Sequence, residues 1–171
     1  ESPVCSDVTL PVSIVAGGPK AYDLYGRLCH PAGGPSSVLQ ILVHGFTYDH
    51  RYWSSPGYGA AYDYVKTATG AGYSTFAVDR LGSAGQSSQP PSVLLTLQAH
   101  ATSLHDVVAA ARAGELGDSA FETVIGVGHS AGSAIWWVGA SLFGDIAGLI
   151  SSGCGPPLRS APHLLLETQP A

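Results

Sequence analysis

Along the first half of the chain, apolar residues recur with the period of a strand. Val8, Leu10, Val12 and Ile14 alternate with smaller or polar residues, which predicts a strand over Val8–Val15. Gly17-Gly18-Pro19 marks a turn, and a second strand is predicted over Tyr22–Cys29. Val38–Val43 is a short continuous apolar run, the signature of a strand covered on both faces. Thr75–Val78, Thr123–Val127 and Ile146–Ser151 read the same way. Between them lie helical patterns over Ala60–Ala71, Leu94–Ala113 and Ala131–Leu142. In Leu94–Ala113 the helical face is Leu97, Ala101, Leu104, Val108 and Ala111. Strands alternating with helices predict βαβ crossovers and an α/β fold with a mostly parallel sheet.

Composition narrows the possibilities. The chain has 171 residues, enough for one domain with a core. Hydrophobic residues make up 45% and charged residues 11%, which excludes a disordered chain. The net charge of −5 and the scattered positions of Arg27, Arg51, Arg80, Arg112 and Arg159 argue against a nucleic-acid partner. No run of 18 apolar residues offers a membrane span. There is no methionine, so Glu1-Ser2-Pro3-Val4-Cys5 reads as a processed or trimmed start. Cys5 and Cys29 fall near the ends of the N-terminal hairpin, taken as residues 7–30. A Cys5–Cys29 disulfide is expected, with two buried thiols as the alternative, and it points to a secreted or extracellular protein. Cys154 is left over from that pair. The histidines and cysteines show no ligand spacing, so neither a metal nor a cofactor is expected.

The chemistry concentrates in Gly126-Val127-Gly128-His129-Ser130-Ala131-Gly132, between a predicted strand and a predicted helix, with the turn region taken as residues 124–134. Gly128-x-Ser130-x-Gly132 is a G-x-S-x-G pattern in the context that gives it meaning. The sharp turn strains the serine backbone, and the two glycines let neighbouring backbone pass close by. Ser130 is thereby presented at the carboxyl edge of the sheet, with the amide of Ala131 opening the next helix. His129 is directed away across the turn and is assigned to packing or hydrogen bonding beside the site.

Two other strand ends agree. Leu42-Val43-His44-Gly45-Phe46-Thr47 turns at His44-Gly45, and the next backbone N–H can serve as a second oxyanion donor, Phe46 first and Thr47 second. Val78-Asp79-Arg80-Leu81-Gly82-Ser83-Ala84-Gly85 follows another buried strand, and Asp79 is expected to anchor this glycine-rich loop. The aromatic segment Phe46, Tyr48, Tyr52, Trp53 and Tyr58 either lines an apolar pocket or packs internally. For substrate contact the expected residues are His44, Gly45, Thr47, Tyr48, Trp53 and His129.

Together these three segments resemble the α/β-hydrolase superfamily, over about Val8 to Ser152. The resemblance implies strand order 1-2-4-3-5-6-7-8, helices on both faces of the sheet, and a Ser–His–acid triad with Ser130 as nucleophile and Phe46 and Ala131 as oxyanion amides. It implies an ester, thioester or lactone hydrolase working through an acyl-enzyme on a small acyl substrate. The alternatives are a lyase or a cyclisation or elimination enzyme on the same fold, and a non-catalytic binding protein.

The pattern is incomplete in one respect. The family's acid follows its sixth or seventh strand and its histidine follows the eighth, whereas the predicted elements here end at the sixth. Residues 1–154 therefore read as the N-terminal portion of one domain, lacking its last strands, and 155–171 as a loop or the start of a lid insertion. The remainder of such a domain would be on the order of 90–150 residues. Asp145 precedes the sixth strand, at the wrong end of the sheet. His163 and Glu167 lie in a proline-rich tail with nothing to position them. A C-terminal fragment or second chain is expected to supply the histidine and the acid.

Overall fold

The computed structural model describes residues 1–154 except Pro56, Tyr58, Asp118 and Ser119. The strands are β1 (Val4–Val12), β2 (Tyr22–His30), β3 (Val38–Val43), β4 (Ser74–Val78), β5 (Thr123–His129) and β6 (Gly148–Ser152). The helices are α1 (Tyr64–Gly70), α2 (Leu97–Ala113) and α3 (Ala131–Phe143). Among the described residues the strands form one sheet in the order β1-β2-β4-β3-β5-β6. The β1–β2 and β2–β4 pairs are antiparallel; β4–β3, β3–β5 and β5–β6 are parallel. This is the α/β sheet expected from the sequence, through its sixth strand.

Alternation along β3 divides the core in two. Leu39, Ile41 and Val43 join Phe76, Val78 and Val124 in a cluster with Leu104, Val108, Ile135 and Trp136 of α2 and α3. Leu42 faces the other way, with Ala77, Val127, Trp53 and Val65 of α1. Both faces of the central strands are thus removed from water, which explains their unbroken apolar runs. Trp136, only 2% exposed, lies over Gly126; a Cβ there would stand 2.8 Å from its indole. A Cβ at Gly26 would likewise stand 2.4 Å from the Phe76 ring. Two glycines in strands make room for two of the large rings of the core.

Several boundaries differ from the sequence expectation. β1 begins at Val4 because the hairpin register pairs Cys5 with Cys29, and these two form a disulfide. It ends at Val12 because Ser13 leaves the ladder: its N–H donates to Asp106 at 2.7 Å and its hydroxyl to Val15 O at 2.6 Å. α1 begins at Tyr64, capped by Asp63, which accepts from Lys66 N at 2.8 Å. Thr96 caps α2 by accepting from Ala99 N, so Leu94 belongs to a preceding 3-10 turn. A side-chain oxygen at the N-cap decides each start. β6 begins two residues late, and its Ile150 is 47% exposed on the α1 side. Asp145, ahead of β6, bonds His105 at 2.6 Å. Among the described residues no helix is long and apolar enough to cross a membrane.

Candidate active site

β5 ends at His129 and α3 begins at Ala131, so Ser130 alone makes the turn between them. Its φ is 51° and ψ −115°, outside the regions an L-residue adopts freely. Such a conformation costs on the order of 1–3 kcal/mol and persists only where its surroundings over-determine it. Here they do. Ser130 N donates to Ser152 O at 2.8 Å and Ala134 N to Ser130 O at 3.2 Å. The Ser133 hydroxyl donates to Ser152 O at 2.9 Å and accepts from Ser152 N at 3.2 Å. The start of α3 is therefore stitched to the end of β6.

The flanking glycines admit this packing. A Cβ on Gly132 would fall 2.0 Å from the carbonyl oxygen of Val43, and one on Gly128 would fall 2.5 Å from Ser133 N. Backbone of β3, β5 and α3 meets here with no space for a side chain. The loop after β3 also comes near, less tightly: a Cβ on Gly45 would lie 3.3 Å from both Ser130 Cβ and His129 Cδ2. Thr47, with φ 65°, is the other non-glycine residue of positive φ among those described. Both strained residues flank one spot at the carboxyl ends of β3 and β5. Ser130 is half-buried there. The amides of Phe46 and Ala131 have no partner among the described residues, and Ala131 opens its helix, where N–H groups point outward unsatisfied.

Buried polar and charged groups support the loop from below. His44 is wholly buried; its Nδ1 donates to Gly45 O at 2.8 Å and its Nε2 accepts from Arg80 N at 3.2 Å. Burial pulls its pKa down from 6.5 to about 4, so the ring is neutral. His100, on α2, is lowered to about 4 by burial and by the nearby Arg80. The Arg80 guanidinium donates to Gly45 O at 3.0 Å and lies 5.3 Å from the Phe46 ring centroid. Asp79, also wholly buried, accepts from His50 N at 2.7 Å, His50 Nδ1 at 2.8 Å and Gln86 N at 2.7 Å. A Cβ on Gly85 would strike its Oδ2. Asp79 thus ties the glycine-rich loop to the loop after β3.

The expected site residues separate into two groups. Thr47, Tyr48 and Trp53 line a cleft of about 920 Å³ on the α1 side of β5 and β6, with Tyr52, Gly128 and Ser152. His129 is stacked against Tyr52, ring centroids 4.9 Å apart, and its Nδ1 lies 3.2 Å from Ser152 Oγ. His44 and Gly45 are instead buried beneath the loop, and neither lines the cleft. Tyr58, His163 and Glu167 lie outside the described residues. No described imidazole bonds the Ser130 hydroxyl. Asp49, His50 and Asp79 place donor atoms within 4.8 Å of one another, a grouping that sequence spacing did not announce. Both carboxylates accept hydrogen bonds within the protein, Asp49 from Arg51 and Asp79 from His50 and Gln86.

A family model described as the alpha/beta hydrolase family matches residues 40–171. The chain belongs to that family. No curated protein sequence matches it. Solved structures of the same fold include an epoxide hydrolase of Vigna radiata, at 15% identity and TM-score 0.68, covering 92% of this chain and 41% of that one. Epoxide hydrolase A of Mycobacterium thermoresistibile matches at 22% identity and TM-score 0.65, over 97% and 44%. The thioesterase domain from the curacin biosynthetic pathway matches at 18% identity and TM-score 0.64, over 96% and 52%. This alpha/beta hydrolase chain therefore spans about half the length of these structures or less.

Two predictions follow from the geometry. Gly132→Ala is expected to cost about 3 kcal/mol in urea unfolding, because its new methyl meets only backbone. Gly33→Ala, in open space, is the control and is expected to be near neutral. The second concerns pH. The unfolded chain protonates His44 and His100 near pH 6.5, the folded chain only near 4. Stability is therefore expected to fall as pH drops through that window, by up to about 3 kcal/mol per histidine. Unfolding measured at about pH 7.5 and about pH 4.5 checks this, and His100→Leu should flatten the slope.

Proposed function

We propose that this chain carries the nucleophile of a serine hydrolase that acts on an ester, thioester or lactone through a covalent acyl-enzyme. The observation that carries the reading is the pair of amides, Phe46 and Ala131, that have no partner among the described residues and flank a half-buried serine held at positive φ. In this reading Ser130 Oγ bonds to the acyl carbon as a base takes its proton. The carbonyl oxygen becomes an oxyanion facing the two amides, then re-forms the double bond and expels the alkoxide or thiolate, which regains the proton. Water repeats the sequence and frees Ser130. One such amide is worth about 100- to 1,000-fold in rate.

The neighbours named as epoxide hydrolases raise a different substrate. Attack by a serine oxygen on an epoxide carbon would leave an ether on Ser130. An ether has no carbonyl for water to attack, so turnover would stop. A serine at this position favours an acyl substrate, as the name of the thioesterase neighbour does. The aromatic cleft of Tyr48, Tyr52 and Trp53, next to Gly128, would take its apolar part.

Because no described imidazole reaches Ser130, the base and its acid belong to residues beyond those described. We assign them to a polypeptide that completes the sheet beyond β6, with residues 1–154 as the N-terminal portion of one domain. The Cys5–Cys29 disulfide supports an oxidising, extracytosolic location.

A fluorophosphonate probe tests the proposal on the chain together with any polypeptide that accompanies it. Adduct mass on Ser130, loss of that adduct in Ser130→Ala, and turnover of esters but not epoxides are expected. Labelling that survives Ser130→Ala would sink the assignment.

A further inference from the structure

We propose that Arg80 is a positioning residue that, with His44, sets the direction and strength of the Phe46 amide as an oxyanion donor; the oxyanion role itself rests on the acyl-transfer reading above. The link is the peptide unit joining Gly45 to Phe46. Its C=O belongs to Gly45 and its N–H to Phe46, and no peptide among the described residues is cis. In a planar trans peptide these two groups point in opposite directions. Whatever holds the carbonyl therefore aims the amide.

The Gly45 carbonyl is held twice. Arg80 Nη2 donates to it at 3.0 Å and His44 Nδ1 at 2.8 Å, so both lone pairs are used. A third contact closes the ring: Arg80 N donates to His44 Nε2 at 3.2 Å, which leaves the imidazole proton on Nδ1, where the carbonyl needs it. The guanidinium also lies 5.3 Å from the centroid of the Phe46 ring, so both residues of the peptide unit touch Arg80. The amide on the far side has no partner among the described residues, and Gly45 approaches Ser130 closely enough that a Cβ would lie 3.3 Å from its Cβ.

The electrostatics act in the same direction. Arg80 is 7% exposed and forms no ion pair with any described carboxylate, and its Nε has no partner among the described residues. A buried cation on a carbonyl, with no ion-pair partner among the described residues, polarises the peptide, makes its N–H a stronger donor, and favours the negative charge that forms beyond it. Its place at the end of β4, one residue past Asp79, fixes it to the sheet, so it acts without reorganising.

Gly45–Phe46 is the only Gly-Phe step in the sequence, so labelling glycine carbonyls with 13C and phenylalanine amides with 15N yields a single HNCO signal. Removing the guanidinium in Arg80→Met is expected to move that carbonyl resonance upfield, while Arg80→Lys, which keeps one charged donor, moves it less. On the same samples, with any completing polypeptide present, phosphonylation of Ser130 is expected to slow by about 10- to 100-fold in Arg80→Met, and less in Arg80→Lys. Should Arg80→Met not fold, Arg80→Lys alone must show both the shift and the slowing. An unmoved carbonyl signal in a folded variant overturns the proposal. So does a moved signal with an unchanged phosphonylation rate. Absence of Ser130 labelling in the parent chain instead overturns the acyl-transfer reading, and the carbonyl shift still decides whether Arg80 holds the peptide.

Discussion

The constraint on which the site depends is a collision avoided. At Gly132 the first turn of α3 passes so close to the end of β3 that a single carbon would fall 2.0 Å from the Val43 carbonyl oxygen. Gly128 permits the matching approach between β5 and the same turn. Because the backbones meet, α3 starts immediately after β5 and leaves only Ser130 to reverse direction. The serine's positive φ follows from that shortage of chain. The bonds from Ser130 and Ser133 to Ser152 then hold the strained turn against the neighbouring strand.

The same closeness brings two loops together from different crossovers. Parallel pairing of β3 with β5 aligns Val43 with Gly128, so the residues that follow each strand emerge side by side. Beneath them lies a buried polar layer of His44, Asp79 and Arg80, with His50 attached. Groups of this kind are costly to bury without partners, and most of their polar atoms are satisfied by loop backbone rather than by side chains. The layer therefore converts the rigidity of the sheet into rigidity of the loops above it. It also explains why Phe46 is 68% exposed while its neighbours His44 and Gly45 are buried.

Much of this is visible in the chain itself. Gly128-x-Ser130-x-Gly132 spells out the close approach, because the glycines stand where only glycine fits. The strands β3, β4 and β5 were legible because burial on both faces leaves unbroken apolar runs. Other features depend on partners distant in sequence. The limits of β1 are set by its register with β2 and by Asp106, far along the chain. Gly126 serves Trp136 through the helix that follows, a pairing that no periodicity reveals. Arg80 reads as one scattered charge among five arginines, and only the fold brings it to the Gly45 carbonyl. The starts of α1 and α2 were recoverable in principle, since Asp63 and Thr96 are good capping residues that the apolar pattern overran.

The central claim is that the amides of Phe46 and Ala131 converge on the space in front of Ser130. A crystal structure of the covalent phosphonyl adduct measures this directly. The account predicts phosphorus bonded to Ser130 Oγ, with one phosphoryl oxygen about 3 Å from both of those nitrogens. An adduct whose oxygens face solvent, or that bonds a different residue, would contradict it.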